Sequence, residues 1–184
     1  MLVVGAGVAG LSAARAAGAA GTRVILTEQD ALLGGDLLNE PVLEPWRRDA
    51  VAALAAMPEV TVILRTTVFG FYDQGVLGAV ERVADHLPQQ PPHTPRQRVW
   101  RIPAREVVLA TGPHERLIAF PGNDRPGVML AGAARGYARR HSVRAGEVAV
   151  LFATHDGAYD AAFAMAEAGS RIVAIIDPRR RLRR

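Results

Sequence analysis

Neither cysteine nor lysine occurs among these 184 residues. The missing cysteine removes disulfides, thiolate metal sites and redox-active cysteine pairs. The missing lysine, beside abundant Ala, Gly and Val, marks a compositional bias, so arginine counts alone carry little functional weight. No run of about 20 apolar residues suggests a membrane span. The apolar opening is broken by glycines, so it reads as a core strand and helix and not as a secretory segment; the expected location is cytoplasmic. The formal net charge is +4, with all 22 basic residues arginine. Five of them, Arg179, Arg180, Arg181, Arg183 and Arg184, outweigh that excess by themselves. A nucleic-acid partner would need a basic face on the folded part, so none is expected. With 49% apolar residues the chain can bury a core. Its length suits one domain, or one and a fraction.

What is present begins at once. Leu2 to Val4 is a short apolar run of the kind buried on both faces of a parallel sheet. Gly5-Ala6-Gly7-Val8-Ala9-Gly10 follows, then an Ala-rich helix from about Leu11 to Ala19, with Gly21 placed to end it. Val24 to Leu26 makes a second strand, and Glu28 stands at its end. In a dinucleotide-binding βαβ unit, Gly5 allows a tight turn and Gly7 lets the backbone approach a pyrophosphate. Gly10 lets helix and strand pack closely, and the free amides of the helix N-terminus face the phosphates. Glu28 sits where a carboxylate accepts from ribose hydroxyls. The bland alternative is a glycine-rich turn with no ligand. Strand, loop, helix, strand and acid in this order favour the site. Gly34-Gly35 further on either lets the chain pass close to a cofactor or makes a plain turn.

The middle of the chain changes character. Val60 to Leu64 reads as a third strand. "TTVFGFYDQGVLGAVERVADHL" and "RQRVWRIPA" read as extended segments separated by the proline-rich stretch Pro88 to Pro95. They suggest an antiparallel crossover layer at about 65–104. "EVVLATG" returns to a buried strand, and Thr111-Gly112 at its carboxyl end faces the crevice where ligands of doubly wound sheets sit.

A second copy of the opening rhythm follows as "VLFATHDGAYDAAFAMAEAGSRIVAIID". With Gly21 set over Gly169, Ala153 replaces Gly5, His155 replaces Gly7 and Ala158 replaces Gly10. A side chain at His155 occupies the place where a phosphate approach needs none, so one dinucleotide is expected, at the first loop only. His155 itself reads as an exposed loop residue and not as a catalytic base. His86, His93, His114 and His141 are too scattered for a metal set, and no Ser-His-Asp set is legible. Arg47-Arg48 and Arg139-Arg140 read as solvated helix faces. The expected fold is α/β: an FAD/NAD(P)-binding Rossmann-like parallel sheet with an antiparallel crossover layer, over 1–125. A linker and an incomplete second Rossmann-like unit are expected over 126–184.

The order of these features resembles the two-dinucleotide-domain flavoproteins of the pyridine nucleotide-disulfide oxidoreductase type. "TTVFGFYDQGVLGAVERVADHL", "PRQRVWRIPAREVVLATG" and "NDRPGVMLAGAARGY" together resemble the α subunits of heterotetrameric sarcosine oxidases. Opine oxidase and hydrogen cyanide synthase subunits are more distant cousins. The resemblance implies part of an oxidoreductase that acts on a CH–NH donor with oxygen. The assembly would demethylate sarcosine to glycine, form hydrogen peroxide and pass the one-carbon unit to tetrahydrofolate. The resemblance also implies FAD on a β subunit, FMN near the α/β interface and NAD in the α subunit. By resemblance, Ala9, Glu28 with Gln29 and Asp30, Asp36 and Val68 line that NAD, beside the loop Gly5-Ala6-Gly7-Val8-Ala9-Gly10, Gly35, Thr111 and Gly112. Gln29 stands where the family usually has a second acid, and Asp36 where it usually has a small hydroxyl residue. A carboxylate beside a pyrophosphate repels it unless it turns outward. Two other readings remain: an FAD-binding piece of an amine or opine oxidase subunit, or a scaffold that only docks a β subunit.

The chain is expected to be a piece of such an α subunit, inactive alone, with no catalytic residue of its own. Its second unit is expected to leave an unpaired strand near Ile172 to Ile176. One face of the helix around Ala161 to Ala168 is expected to lack the sheet it should cover.

Overall fold

The computed structural model describes residues 1–179, so the arginines beyond Arg179 lie outside the described residues. The chain divides into two compact units, Met1–Gly112 and the part from Pro113 onward.

The first unit is built on a four-stranded parallel sheet. Its strands are β1 (Leu2–Val4), β2 (Val24–Thr27), β3 (Val60–Ile63) and β7 (Val107–Leu109), in the order β3-β2-β1-β7. Leu2, Val3 and Val4 are all buried, because β1 is central and covered on both faces. On one face, Val3, Leu26 and Val24 pack with Leu11 and Ala14 of helix α1 (Val8–Ala19) and with Ala50 and Leu54 of helix α2 (Glu44–Ala55). On the other, Leu2 and Val4 pack with Leu77, Ala79 and Ile102. These belong to an antiparallel layer of β4 (Thr66–Tyr72), β5 (Val76–Arg82) and β6 (Gln97–Pro103). Each fully buried leucine here contributes about 2 kcal/mol of apolar transfer energy.

The crossover layer differs from its expected outline in one respect. The stretch from Thr66 to Arg82 is a hairpin and not one extended segment, pairing Thr67 with Val80 and Tyr72 with Val76. Its turn needs two consecutive left-handed residues, Gln74 (φ 62°) and Gly75 (φ 71°). Helix α1 also starts earlier than the apolar pattern suggests, at Val8, directly out of the glycine loop.

The second unit holds helix α3 (Ala131–His141), strands β8 (Val148–Phe152) and β9 (Arg171–Ile176), and helix α4 (Gly157–Glu167) between them. The two strands are parallel. Here an expectation fails. The face of α4 around Ala161 is covered: Ala161 and Ala162 are buried with Leu151, against Ala149, Ile172 and Ile175. The uncovered apolar side chains lie on the strands, at Val148, Val150, Phe152, Val173 and Ile176, with Phe163 on the helix. In a two-stranded parallel sheet one helix covers one face only.

Two arginine pairs are also not simply solvated. Arg47 is mostly buried, with its side chain 17% exposed. Arg139 forms an ion pair with Glu167 of α4. Among the described residues no helix is long and apolar enough to cross a membrane.

Candidate dinucleotide site

The three loop glycines do three different things. Gly5 has φ 93°, and a β-carbon there would lie 2.4 Å from the Ala110 carbonyl oxygen beyond β7. A β-carbon on Gly10 would lie 1.8 Å from the Gly5 carbonyl oxygen. Both positions are closed by backbone, which cannot move aside cheaply. Around Gly7 nothing lies within 4 Å of such an atom. Gly7 is also the N-cap of α1 and carries no side chain to cap the helix. Val8 and Ala9 form the exposed first turn. The helix N-terminus therefore presents backbone amides and its partial positive charge to an open space.

Glu28 closes the other side. Its carboxylate is buried, and Oε2 accepts the Ala6 N–H at 2.8 Å while Oε1 accepts the Asp30 N–H at 2.9 Å. The acid thus shapes the glycine loop from beneath as well as marking the strand end. The turn from Glu28 to Asp30 is pinned by the crossover layer. Thr66 N–H donates to the Glu28 carbonyl at 2.8 Å and Arg65 N–H to the Asp30 carbonyl at 2.9 Å. The Arg82 guanidinium donates to the Gln29 carbonyl at 2.9 Å. Arg65 and Arg82 were not legible as site supports, because their partners are backbone carbonyls distant in sequence.

The second glycine pair meets the first loop. Gly34 N–H donates to the Ala6 carbonyl at 2.9 Å. Gly34 (φ 140°) and Gly35 (φ 54°) both need the glycine-favouring region, and a β-carbon on Gly35 would lie 3.1 Å from Gly7 Cα. The pair closely approaches the first loop. Asp36 follows at the start of a 3₁₀ turn over Gly35–Asn39. It is exposed, and its Oδ1 accepts from Asn39 Nδ2 at 2.9 Å.

The remaining candidates fall further from this cradle or at its rim. Val68 packs its side chain against the core that contains Leu2, Val4 and Ala79, so its side chain supports the layer. Thr111 lies beside Gly5, its Cα 3.3 Å from the position of a Gly5 β-carbon. Gly112, with φ 71°, ends the first unit.

The second βα loop carries side chains where the first has glycines. Ala153 is fully buried, and its N–H donates to the Ile176 carbonyl at 2.8 Å, as Gly5 N–H donates to Thr27 at 2.9 Å. By that bond Thr27 corresponds to Ile176 and Glu28 to Asp177. Counting residues misses this match by one, since the β8–β9 register slips between Ala149 and Val150. Asp177 accepts from Tyr159 Oη at 2.9 Å and from Arg179, which also pairs with Asp156 at 2.8 Å. Hydrogen bonds from Arg179 hold the Asp177 carboxyl far below the usual carboxylate range, and the Asp177 carboxylate in turn raises the Tyr159 phenol. His155 Nδ1 accepts the Gly157 N–H at 3.1 Å, at the start of α4. Among the described residues no cluster of His, Asp and Glu has the geometry for a metal ion.

The open space at Gly7, the uncapped helix N-terminus and the acid at the end of β2 fit an extended anionic dinucleotide. Together with the sheet order they define a dinucleotide-binding unit of the Rossmann-like kind. Residues 1–184 match the family described as pyridine nucleotide-disulphide oxidoreductase, and the chain belongs to it. It has no cysteine, so these residues supply no redox dithiol. The chain is similar to the sarcosine oxidase alpha subunit of Rhizobium meliloti (strain 1021), at 46% identity over 185 residues, which cover 97% of this chain and 19% of that protein. It is 32% identical over 146 residues to an opine oxidase subunit of Agrobacterium tumefaciens (strain Ach5), covering 73% of this chain and 28% of the relative. The chain thus spans about a fifth of the sarcosine oxidase subunit it matches. Among solved structures, L-proline dehydrogenase from P. horikoshii superposes with a TM-score of 0.74 at 24% identity, covering 97% of this chain and 35% of that one. That likeness concerns the fold.

Proposed function

We propose that this chain is the NAD-binding portion of the α subunit of a heterotetrameric sarcosine oxidase. In such an assembly sarcosine is oxidatively demethylated to glycine with formation of hydrogen peroxide, and the one-carbon unit passes to tetrahydrofolate. FAD and FMN belong to the rest of that assembly, and a β subunit is the proposed partner. The 46% identity to a named sarcosine oxidase α subunit supports the choice of reaction. The observation that carries the binding role is the unobstructed space at Gly7, walled by Gly35 and backed by Glu28.

When bound, the nicotinamide dinucleotide supplies hydride-transfer capacity. This chain's residues only hold it. The α1 N-terminus faces the pyrophosphate, and the loop Gly5 to Gly10 follows it. Glu28 accepts from the ribose hydroxyls through lone pairs left by the Ala6 and Asp30 amides. Gln29, Asp30 and Val68 complete the adenosine side, Val68 by its backbone, since its side chain packs in the core. Asp36 lies on the pyrophosphate side, with Oδ1 bonded to Asn39. Gly35, Thr111 and Gly112 form the rim of a dinucleotide domain placed at 1–125. One dinucleotide is proposed, at this loop, in a cytoplasmic protein. The similarity to an opine oxidase subunit favours one second reading, in which the same loop holds FAD.

Titration of the chain with NAD and NADP tests the proposal. Glu28 repels an additional ribose phosphate, so NAD is expected to bind tighter than NADP. Tighter NADP binding would overturn the assignment of Glu28. Flavin absorbance in equimolar amount in the purified protein would replace NAD by FAD.

A further inference from the structure

Arg47 lies on α2, outside every segment proposed to touch a dinucleotide, yet it is built into the second glycine turn. Its Nη1 donates to the Leu33 carbonyl at 2.9 Å. Its Nε and Nη2 donate to the two carboxylate oxygens of Glu44, at 2.7 and 2.8 Å, a fork-on-fork pair within one helix. The aliphatic stem runs beneath Gly34: a β-carbon on that residue would lie 2.6 Å from Arg47 Cδ and 3.4 Å from Cγ. The Arg47 side chain is 17% exposed, and that of Glu44 36%. From there the path to the phosphate loop is two residues long. Leu33 is held by the guanidinium, Gly34 binds the Ala6 carbonyl, and Gly35 rests on Gly7.

We infer that Arg47 is a positioning residue for dinucleotide binding, setting the width of the gap between Gly7 and Gly35 by clamping the Leu33-Gly34 backbone from α2. The inference rests on the dinucleotide reading of the Gly5 to Gly10 loop. The charge of Arg47 is already balanced by Glu44, so the residue acts by placing backbone and not by attracting phosphate. Glu44 shares the task, because it fixes the plane of the guanidinium. The expected signature is selective. A widened gap weakens ligands that carry a pyrophosphate. It leaves adenosine, which needs only the ribose side at Glu28, unaffected.

The test is calorimetric titration of the 184-residue chain and its Arg47→Ala and Glu44→Gln variants with NAD and with adenosine, at two salt concentrations. Arg47→Ala is expected to raise the Kd for NAD about tenfold, with the Kd for adenosine and the salt dependence of NAD binding unchanged. Glu44→Gln keeps the arginine and loses the charged partner, and is expected to raise the Kd for NAD about threefold. Should Arg47→Ala fail to fold, Glu44→Gln decides alone. NAD affinity within twofold of wild type in the variant that decides overturns the inference. Equal losses for NAD and adenosine also overturn it, since they mark a general structural role. A shallower salt dependence in Arg47→Ala would mean direct phosphate contact, and overturns it too. If the unaltered chain binds no dinucleotide at all, the reading of the loop itself has failed.

Discussion

Gly7 and Gly10 sit three residues apart in one loop and answer to different constraints. A methyl group on Gly10 must enter the space of the Gly5 carbonyl, 1.8 Å away, so the loop has to distort. Gly10→Ala is therefore expected to cost about 3 kcal/mol of stability, the upper range for overpacking, read as a shift in the denaturant midpoint. Gly7 has φ −71°, which alanine adopts without strain, and its β-carbon would meet nothing within 4 Å. Gly7→Ala should cost no more than about 1 kcal/mol of stability, the difference between glycine and alanine at an N-cap, while weakening NAD at least tenfold. A stable Gly10→Ala protein, or a Gly7→Ala protein that binds NAD normally, would contradict this division of labour. Glu28 shows a related doubling of roles, since one buried carboxylate both holds the Ala6 amide and stands at the proposed ribose position.

Helix α2 links local electrostatics to the second glycine turn. The hydrogen bonds of Arg47 hold the Glu44 carboxyl below its ordinary value, and Arg48 adds a weaker attraction. A depressed carboxyl contributes stability above its unfolded-state pKa and loses it as the pH falls through the folded-state value. The contribution is thus present at neutral pH and lost progressively as the pH falls below the ordinary glutamate range. Acid unfolding of Glu44→Gln should therefore lack one component of the pH dependence seen in wild type. Both proteins should converge at the acid end of the range. Circular dichroism followed from pH 7 to pH 2 checks it. An unchanged acid profile in Glu44→Gln would mean that the pair is too exposed to matter. The hairpin of β4 and β5 is the other element with a sharp local requirement, because Gly75 is left-handed and a β-carbon there would lie 2.7 Å from the Ala104 carbonyl oxygen.

At the scale of the molecule, the first unit contains everything assigned to the dinucleotide. It also carries its own two buried clusters, one on each face of the parallel sheet. A chain ending at Gly112 is expected to unfold cooperatively and to bind NAD within about threefold of the 184-residue chain, roughly 0.6 kcal/mol. Thermal denaturation and titration together test this. A truncated chain without a cooperative transition would show that residues after Gly112 complete the first core. The second unit repeats the βαβ plan with Asp177 in the place of Glu28, but there the acid is engaged by Tyr159 and Arg179.

Composition and spacing alone determined the βαβ unit, its glycine loop, the acid at the end of β2, the crossover layer and the absence of thiol chemistry. Each of these is a local pattern: an apolar run, a glycine with a required conformation, a carboxylate at a fixed interval. The hairpin inside residues 66–82 was less legible, because its turn depends on Gln74, which is not a usual turn residue. Tertiary structure decided the rest. Arg47 looked like one of two charges on a solvated helix, since nothing in sequence announces that a guanidinium 14 residues away will reach the Leu33 carbonyl. The match of Asp177 to Glu28 was hidden by a slip of register that only strand pairing reveals. Periodicity places residues on faces; backbone carbonyls as hydrogen-bond partners leave no mark in the identity of the residue that bears them, so contacts made through them appear only when the chain is folded.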